Sequence, residues 1–351
     1  MPRRGFWRTL EIHSLFHEVE TMSTSGFPRR PLLFIGTALA LFASPSLATD
    51  PILLVLNKHE DTMVMVNPAT LKVLTKIPAG HDPHEMVVTP DGRFAYVSNY
   101  AAPGNTVSVI DLVGKTLVTQ VRTDPYTRIH GAAISPDGKH AYFTAGQTGY
   151  VVEIDTQTNT VRRAIPTHGK ISHMVLVSPD GTRIYTANIV SRSVSVIDRA
   201  TGELIAQVPC DAGCEGMAFT PDGKHLWAAN QNAGNITVID LATNEVVKTF
   251  SCPGVPLRIH FAAEGRIALV SSWEAKGSLV VLDVPTCREL HRIALGNQPI
   301  GIEVAPDESR AFVSNMTSDE IHVVDMKQWK VVDRFQPGKG VDAMLWWCPP
   351  K

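Results

Sequence analysis

The sequence HEMVVTPDGRFAYVSNYAAPGNTVSVIDL, residues 84–112, decides the fold. It contains three short runs of alternating apolar and polar residues, rich in valine and separated by turn residues such as Pro-Asp-Gly. Alternation with period two between turn signals is typical of antiparallel strands. Together with TLVTQV, which follows, it predicts four strands over residues 84–89, 94–99, 106–112 and 116–121. The stretch therefore predicts a small four-stranded sheet.

The same pattern repeats along the chain. The acidic residue of the first turn recurs every 42 to 46 residues, at Asp91, Asp137, Asp180, Asp222, Glu264 and Asp307. A second marker, the VIDL-type end of the third strand, recurs at Asn67, Asp111, Asp155, Asp198, Asp240, Asp283 and Asp325. Four strands at a period of about 43 residues are typical of a β-propeller blade, in which each small sheet packs between its two neighbours.

The two ends of the repeat region complement each other. The region begins with the second to fourth strands of a blade (ILLVLN, TMVMVN, LKVLTKI) and ends with a copy of a first strand, VDAMLWW. Pairing of these ends completes a seventh blade and leaves the ring without a long open edge. We therefore expect residues 49–351 to form one all-β seven-bladed propeller with four-stranded blades, and no second domain.

These motifs carry a resemblance to a known family. The SPDG or TPDG turn, the following YVSN, YTAN, WAAN or FVSN, and then VIDL resemble the YVTN family of seven-bladed β-propellers over essentially all of residues 49–351. Two units depart from the pattern, with AAEG at 262–265 and APDE at 305–308. The resemblance implies an exported or surface protein, similar in architecture to the haem-binding propeller of dissimilatory nitrite reductase and to bacterial lactonases. Fold alone does not choose among these functions.

The N-terminal region, residues 1–48, is interpreted as an export signal. Two arginines, Arg29 and Arg30, precede the apolar run PLLFIGTALALFA and a small-residue cleavage site after Ala48. Residues 1–21 add nothing to such a signal, so we expect Met22 to be the true start. The protein is predicted to be periplasmic or secreted, with no integral membrane span after cleavage; a retained anchor and the export route stay open.

Composition limits the possible partners. The chain has 351 residues, 44% of them hydrophobic, and a formal net charge of −2. Without a basic cluster in the repeat region, nucleic acid is not an expected partner. We expect the protein to be a monomer whose partner is a periplasmic redox or metal-handling protein.

The cysteines allow several arrangements. The chain has an odd number of them, Cys210, Cys214, Cys252, Cys287 and Cys348, so at least one is expected to stay free or to pair between molecules. A Cys210–Cys252 disulfide, a Cys210–Cys214 disulfide and buried free thiols all remain open.

One position of the repeat collects polar side chains. Seven residues before the turn acid, where the first strand is expected to begin at the mouth of the central channel, the blades carry His84, His130, His173, Glu215, Leu257, Ile300 and Asp342. The five ionisable members fall on neighbouring blades, and we call them the polar arc. Imidazole and carboxylate ligands suit a divalent metal such as zinc or copper, or an iron centre. The polar arc is therefore predicted to bind a metal ion or a haem-like cofactor; the alternative is that these histidines only hydrogen-bond to loop carbonyls.

Residues in the surrounding loops are weaker candidates. His59, Tyr100 and Trp273 fall in loops between second and third strands on the same face of the disc. Arg128 and Arg258 lie next to the polar arc, and we carry only Arg258 forward, as a cationic group for carboxylate or phosphate. These four residues, His59, Tyr100, Arg258 and Trp273, are the predicted cofactor contacts.

Three functions remain open from the sequence. The preferred one is an exported protein that binds a metal ion or metallo-cofactor and is accessory to a redox or metal-handling pathway. The sequence assigns no catalytic residue to it. The alternatives are a metal-dependent hydrolase of the lactonase type and an interaction scaffold without a metal.

Overall fold

The computed structural model describes residues 50–350, which form seven antiparallel sheets of four strands each. The predicted seven-bladed, all-β propeller is confirmed. In chain order the strands are β1 Ile52–Asn57, β2 Thr62–Asn67, β3 Lys72–Pro78, β4 Pro83–Val88, β5 Phe94–Asn99, β6 Thr106–Asp111, β7 Thr116–Arg122, β8 Ile129–Ile134, β9 His140–Ala145, β10 Tyr150–Asp155, β11 Thr160–Pro166, β12 Ser172–Val177, β13 Arg183–Asn188, β14 Ser193–Asp198, β15 Leu204–Pro209, β16 Cys214–Phe219, β17 His225–Asn230, β18 Asn235–Asp240, β19 Glu245–Ser251, β20 Pro256–Ala262, β21 Ile267–Ser272, β22 Gly277–Asp283, β23 Arg288–Gly296, β24 Pro299–Val304, β25 Arg310–Asn315, β26 Glu320–Asp325, β27 Lys330–Phe335 and β28 Val341–Trp347.

The ring closes as predicted, by pairing of the two ends of the chain. Strand β28 pairs with β1 in antiparallel register, with Leu53 opposite Trp346 and Val55 opposite Met344. Blade 1 therefore consists of β28 and β1–β3, and blades 2 to 7 each take four consecutive strands. Two short 3₁₀ segments, Lys58–Glu60 and Ala263–Gly265, are the helical elements of the described residues, and neither is long enough to cross a bilayer.

The hydrophobic core lies between the blades. Second and third strands are buried along almost their whole length, whereas fourth strands such as β19 are mostly exposed. Large side chains from second strands, among them Tyr96, Tyr142 and Phe312, are fully buried. The Tyr96 hydroxyl donates to the Thr156 carbonyl oxygen of the next blade at 3.1 Å. Each blade thus buries both faces of its sheet, which explains why the strands are so rich in valine and isoleucine.

The first strands form the innermost ring. Each contacts the first strands of the two neighbouring blades, from β4 and β8 round to β28. The first strand of blade 2 begins at Pro83. The position seven residues before the turn acid is therefore the second residue of the strand, whereas the sequence predicted it to be the first. In blade 2 the pairing of β4 with β5 is interrupted between Pro83 and Met86, and the first strand of every other blade is interrupted at the same place.

This interruption positions the polar arc. At the interruption, the backbone amide of the residue after the polar-arc position has no partner in the neighbouring strand. A side-chain hydroxyl accepts its hydrogen bond instead: in blade 3 the Thr144 hydroxyl accepts from the Gly131 amide at 2.9 Å. The same hydroxyl donates to the His173 carbonyl oxygen of the next blade at 2.6 Å. A Cβ at Gly131 would lie 2.5 Å from that carbonyl oxygen, so glycine is needed for the two strands to approach.

Candidate functional site

The three histidines of the polar arc lie side by side. The ring centroids of His84 and His130 are 4.2 Å apart, and those of His130 and His173 are 3.7 Å apart. The rings are tilted against each other by 59° and 42°. The structure therefore brings the three imidazoles together, as the repeat register predicted, in a row of mutually tilted rings.

The imidazoles are buried and short of hydrogen-bond partners. His130 is 1% exposed, and neither of its ring nitrogens has a hydrogen-bond partner. Burial lowers the pKa of His130 and of His84 well below the ordinary value, with neighbouring cationic groups adding to the effect. Burial also lowers the pKa of His173 to about 4, although Glu215 opposes the change. Neutral imidazoles with free lone pairs are the form that binds metals.

Glu215 belongs to an ion-pair network that crosses the channel. Its Oε1 lies 2.7 Å from Nη1 of Arg258 and 3.4 Å from Nδ1 of His173. The other Arg258 nitrogen, Nη2, donates to Oε1 of Glu85 on the opposite side of the ring at 2.8 Å. Burial raises the pKa of Glu85, and the charge of Arg258 opposes that rise. Sequence reasoning missed Glu85; the available signal was its place directly after His84, matching that of Arg258 after Leu257.

Asp342 has a second cation beside it. Lys58 Nζ lies 3.5 Å from Asp342 Oδ2 and 3.4 Å from His84 Nε2. His84 Nδ1 lies 3.6 Å from the same carboxylate oxygen. Burial raises the pKa of Asp342 to about 7. The predicted contact in this loop was His59, but the structure leaves its side chain exposed beside Gly340 and turns Lys58 toward the polar arc.

Two cavities border the histidines. The first, of about 170 Å³, is lined by His84, His173, Glu215 and Arg258 together with Trp273, whose buried indole nitrogen has no hydrogen-bond partner. The second, of about 110 Å³, is lined by Tyr100, Arg128, His130 and His173 among others.

Tyr100 and Trp273 therefore border these cavities, and their role as cofactor contacts stays a prediction. The Tyr100 ring is 4.8 Å from that of His84 and 5.3 Å from that of His130. The Arg128 guanidinium lies 4.8 Å from the centre of the Tyr100 ring. A larger groove of about 450 Å³, between blades 5 and 6, is lined by none of the predicted site residues.

The sequence predicted that the polar arc binds a metal ion directly. Within residues 50–350, no group of three or more His, Cys, Asp or Glu side chains is arranged to hold a metal ion. Glu215 and Asp342 instead contact the cations Arg258 and Lys58. Direct ligation by the five polar-arc residues stays a prediction.

The five cysteines are free thiols in this structure. Cys214 and Cys252 are buried, whereas Cys348 is exposed. Neither of the two disulfides that the sequence allowed is formed. The export signal and its cleavage site lie outside the described residues.

Comparisons with known proteins support the propeller and its resemblance to a repeat family. Residues 33–148 match the family model described as YNCE-like beta-propeller, and residues 177–306 match the Cytochrome D1 heme domain. None of the curated protein sequences matches the chain.

Solved structures show the same fold. Hydrazine synthase of Kuenenia stuttgartiensis is 19% identical with a TM-score of 0.67, covering 74% of this chain and 88% of that one. A functionally unknown protein from Desulfotomaculum acetoxidans DSM 771 is 17% identical with a TM-score of 0.73, covering 85% and 99%. Dihydro-heme d1 dehydrogenase NirN in complex with DHE is 19% identical with a TM-score of 0.65, covering 82% of this chain and 64% of that one.

Proposed function

We propose that this protein is an exported propeller that binds a haem-like metallo-cofactor at its channel mouth, with His130 as a metal ligand, and that it serves a redox pathway. One observation carries the proposal: His130 is buried and both of its ring nitrogens lack a partner. A buried polar group without a hydrogen bond costs free energy. Such a cost is expected where a ligand supplies the missing interaction.

The donor set fits a metal that brings ligands of its own. A haem-type iron needs only one or two side-chain ligands, and imidazole is a common one. The adjacent, mutually tilted rings of His84, His130 and His173 form no three-ligand metal site among the described residues. When bound, the group would supply one-electron redox chemistry at its iron.

The surroundings fit the acidic edge of such a cofactor. Arg128 packs on the Tyr100 ring, and no carboxylate among the described residues is paired with it. Arginine binds carboxylates through paired hydrogen bonds. The two cavities, of about 170 and 110 Å³, are smaller than the roughly 300–1,000 Å³ typical of ligand pockets. We therefore infer that one edge of the cofactor enters between the blades and that the rest lies over the mouth.

The relatives give independent support. The segment that matches the Cytochrome D1 heme domain contains Glu215, Arg258 and Trp273. It does not include the three polar-arc histidines, so their role rests on the geometry. One structural neighbour is a dihydro-heme d1 dehydrogenase in complex with DHE.

A spectroscopic titration tests the proposal. Protein purified without cofactor is titrated with haem, and the Soret band and affinity are compared for wild type, His84→Ala, His130→Ala and His173→Ala. We expect His130→Ala to lose the ligand-dependent band and at least roughly tenfold in affinity. His291→Ala, on the exposed outer strand β23, is the matched control and should bind as wild type does.

The result that would overturn the proposal is an unchanged spectrum and affinity in His130→Ala while circular dichroism shows the fold intact. Elemental analysis and a panel of lactones, applied to the same preparations, separate the two other functions. Bound zinc with lactone hydrolysis that is lost in His130→Ala would favour the hydrolase, and a metal-free protein that binds no haem would favour the scaffold.

A further inference from the structure

Two cysteines adjoin the polar arc without belonging to it. Cys214 is the first residue of β16 and is fully buried, and Cys210 packs against the same hydrophobic cluster. Interaction with the Cys210 thiol and burial raise the pKa of Cys214 well above its ordinary value. The residue after Cys214 is Glu215, so the thiol pair borders directly on the ion-pair network of the site.

The short loop between the cysteines is held at both ends. The Cys210 amide donates to the Arg192 carbonyl oxygen at 2.8 Å, and the Gln231 amide donates to the Gly213 carbonyl oxygen at 3.0 Å. The Asn232 amide donates to Ala212 in the same way at 3.1 Å. These bonds fix the backbone of the short loop that joins the two cysteines.

A pair of thiols at this place is peculiar to blade 5. Cys252 occupies the point of blade 6 that corresponds to Cys210, where its amide makes the same kind of bond to a loop carbonyl. The first strand of blade 6 begins with Pro256, however, and not with a cysteine. Blade 6 therefore provides a matched single thiol, and burial raises its pKa to about 11.

We propose that Cys210 and Cys214 form a reversible dithiol–disulfide couple that exchanges with small disulfides and alters the position of Glu215. Cys210, the more exposed thiol, attacks one sulfur of the disulfide and releases the first thiol. Cys214 then attacks the mixed disulfide at the Cys210 sulfur and releases the second. The two cysteines lose two electrons and two protons, and the incoming disulfide gains them.

The bond would act on the site more than on stability. The stabilisation from a disulfide grows with the logarithm of the loop length that it closes, and this loop is short. Since Cys214 pairs with Asn230 directly before the interruption that holds Glu215, a pull on Cys214 acts on Glu215 and its contacts to Arg258 and His173.

The test uses oxidised glutathione on folded, cofactor-free mature protein, followed by alkylation and peptide mass spectrometry. In wild type we expect both thiols to disappear together as an internal disulfide. Cys214→Ser should instead retain glutathione on Cys210, Cys210→Ser should leave Cys214 unreacted, and the matched control Cys252→Ser should behave as wild type. A mixed disulfide that persists on Cys210 in wild type, or no reaction at either thiol, would overturn the couple.

The effect on Glu215 has its own readout, which rests on the proposed function. Haem is titrated into the reduced and oxidised forms, and we expect affinities that differ by about fivefold or more. Equal affinities would refute the coupling. If neither form binds haem, the proposed function fails, whereas the thiol result stands on the glutathione experiment.

Discussion

The seven blades share one backbone but carry two different kinds of side chain at the channel mouth. In blades 1 to 5 the second residue of the first strand is a member of the polar arc, whereas in blades 6 and 7 it is Leu257 or Ile300, which we call the apolar arc. The interruption of strand pairing is present on both sides. The fold therefore accepts either kind of residue at this position and does not require the histidines.

The two arcs also differ in how their side chains are satisfied. Ile300 is buried, and its side chain has no hydrogen-bonding group, whereas His130 buries two ring nitrogens that lack hydrogen-bond partners. A group that weakens the fold without being needed by it points to a role outside folding.

The largest effect on stability is expected from replacing Arg258, whose side chain connects the two arcs. Arg258, on β20 next to Leu257, reaches both Glu215 and Glu85. Arg258→Leu leaves the Glu85 and Glu215 carboxylates without their shared cationic partner, so we expect a loss of about 3–5 kcal/mol in the free energy of unfolding. Urea denaturation at neutral pH measures it.

A surface arginine is the control for this change. Arg292 pairs with Glu289 on the outer strand β23 and also donates to Ser278 Oγ and the Pro253 carbonyl oxygen, so Arg292→Ala should cost about 1–2 kcal/mol. Adding Glu85→Gln and Glu215→Gln to Arg258→Leu should restore most of the stability, because the unpaired charges are then removed. Equal losses for Arg258→Leu and Arg292→Ala would show that the network contributes little to the fold.

The second prediction compares the arcs directly. Ile300→Ala removes buried apolar atoms and should cost about 2 kcal/mol, at the low end of the usual range because Ile300 borders a cavity. His130→Leu should cost nothing or stabilise by up to about 1 kcal/mol, since it removes unsatisfied nitrogens. Thermal or urea unfolding of the cofactor-free proteins measures both, and a large loss in His130→Leu would show that the imidazole is a structural residue.

The fold could be predicted because the same strand pattern recurs in each of the seven blades. One copy such as residues 84–112 predicts four strands, and the spacing of Asp91, Asp137 and the later turn residues predicts the number of blades. The grouping of His84, His130 and His173 followed from the same register. Symmetry carries a residue from one blade to its place in the ring, so the neighbours of a repeat position can be read from the sequence.

The ion-pair network could not be predicted in the same way. Lys58 and His59 are consecutive in a short 3₁₀ segment, and only the geometry of that turn decides which one faces Asp342. The Arg258–Glu85 contact joins residues far apart in sequence across the ring, and repeat register gives no side-chain reach. The first strand also begins one residue earlier than its alternation suggests, because Pro83 still pairs with Asn99.

A third prediction concerns pH and a residue of blade 7. Glu303 on β24 has no ion pair or hydrogen bond among the described residues, and burial raises its pKa to about 8. A carboxyl whose pKa rises on folding stabilises the folded state at low pH, and that contribution is lost as pH rises toward 8. We expect the stability of wild type relative to Glu303→Gln to fall between about pH 5 and pH 8, by up to about 1.4 kcal/mol per pH unit.

Urea denaturation across this range measures the difference, and groups shared by both proteins, such as Asp342 and the histidines, cancel. Glu289→Gln, whose carboxylate pairs with Arg292 at the surface, should show a nearly constant difference from wild type. A constant difference for Glu303→Gln as well would mean that this carboxyl is ionised in the folded protein.

The smallest effect is expected in the turn after β20, where blade 6 has Ala-Glu-Gly at residues 263–265 in place of Pro-Asp-Gly. Glu264 has a φ of 54°, in the left-handed region that disfavours side chains other than glycine, asparagine and aspartate. Glu264→Gly should relieve this strain, and after the entropy cost of glycine we expect a gain of about 0.5 kcal/mol.

The corresponding residue of blade 5 provides the opposite case. Asp222 accepts from the Thr220 hydroxyl at 2.7 Å and from the Lys224 amide at 3.1 Å, so Asp222→Gly removes two turn hydrogen bonds and should destabilise by about 1 kcal/mol. Differential scanning calorimetry of the two variants gives the signs. If both glycine variants lose stability equally, the departure in blade 6 is not a strained copy of the turn, and the blades are less equivalent than their shared backbone indicates.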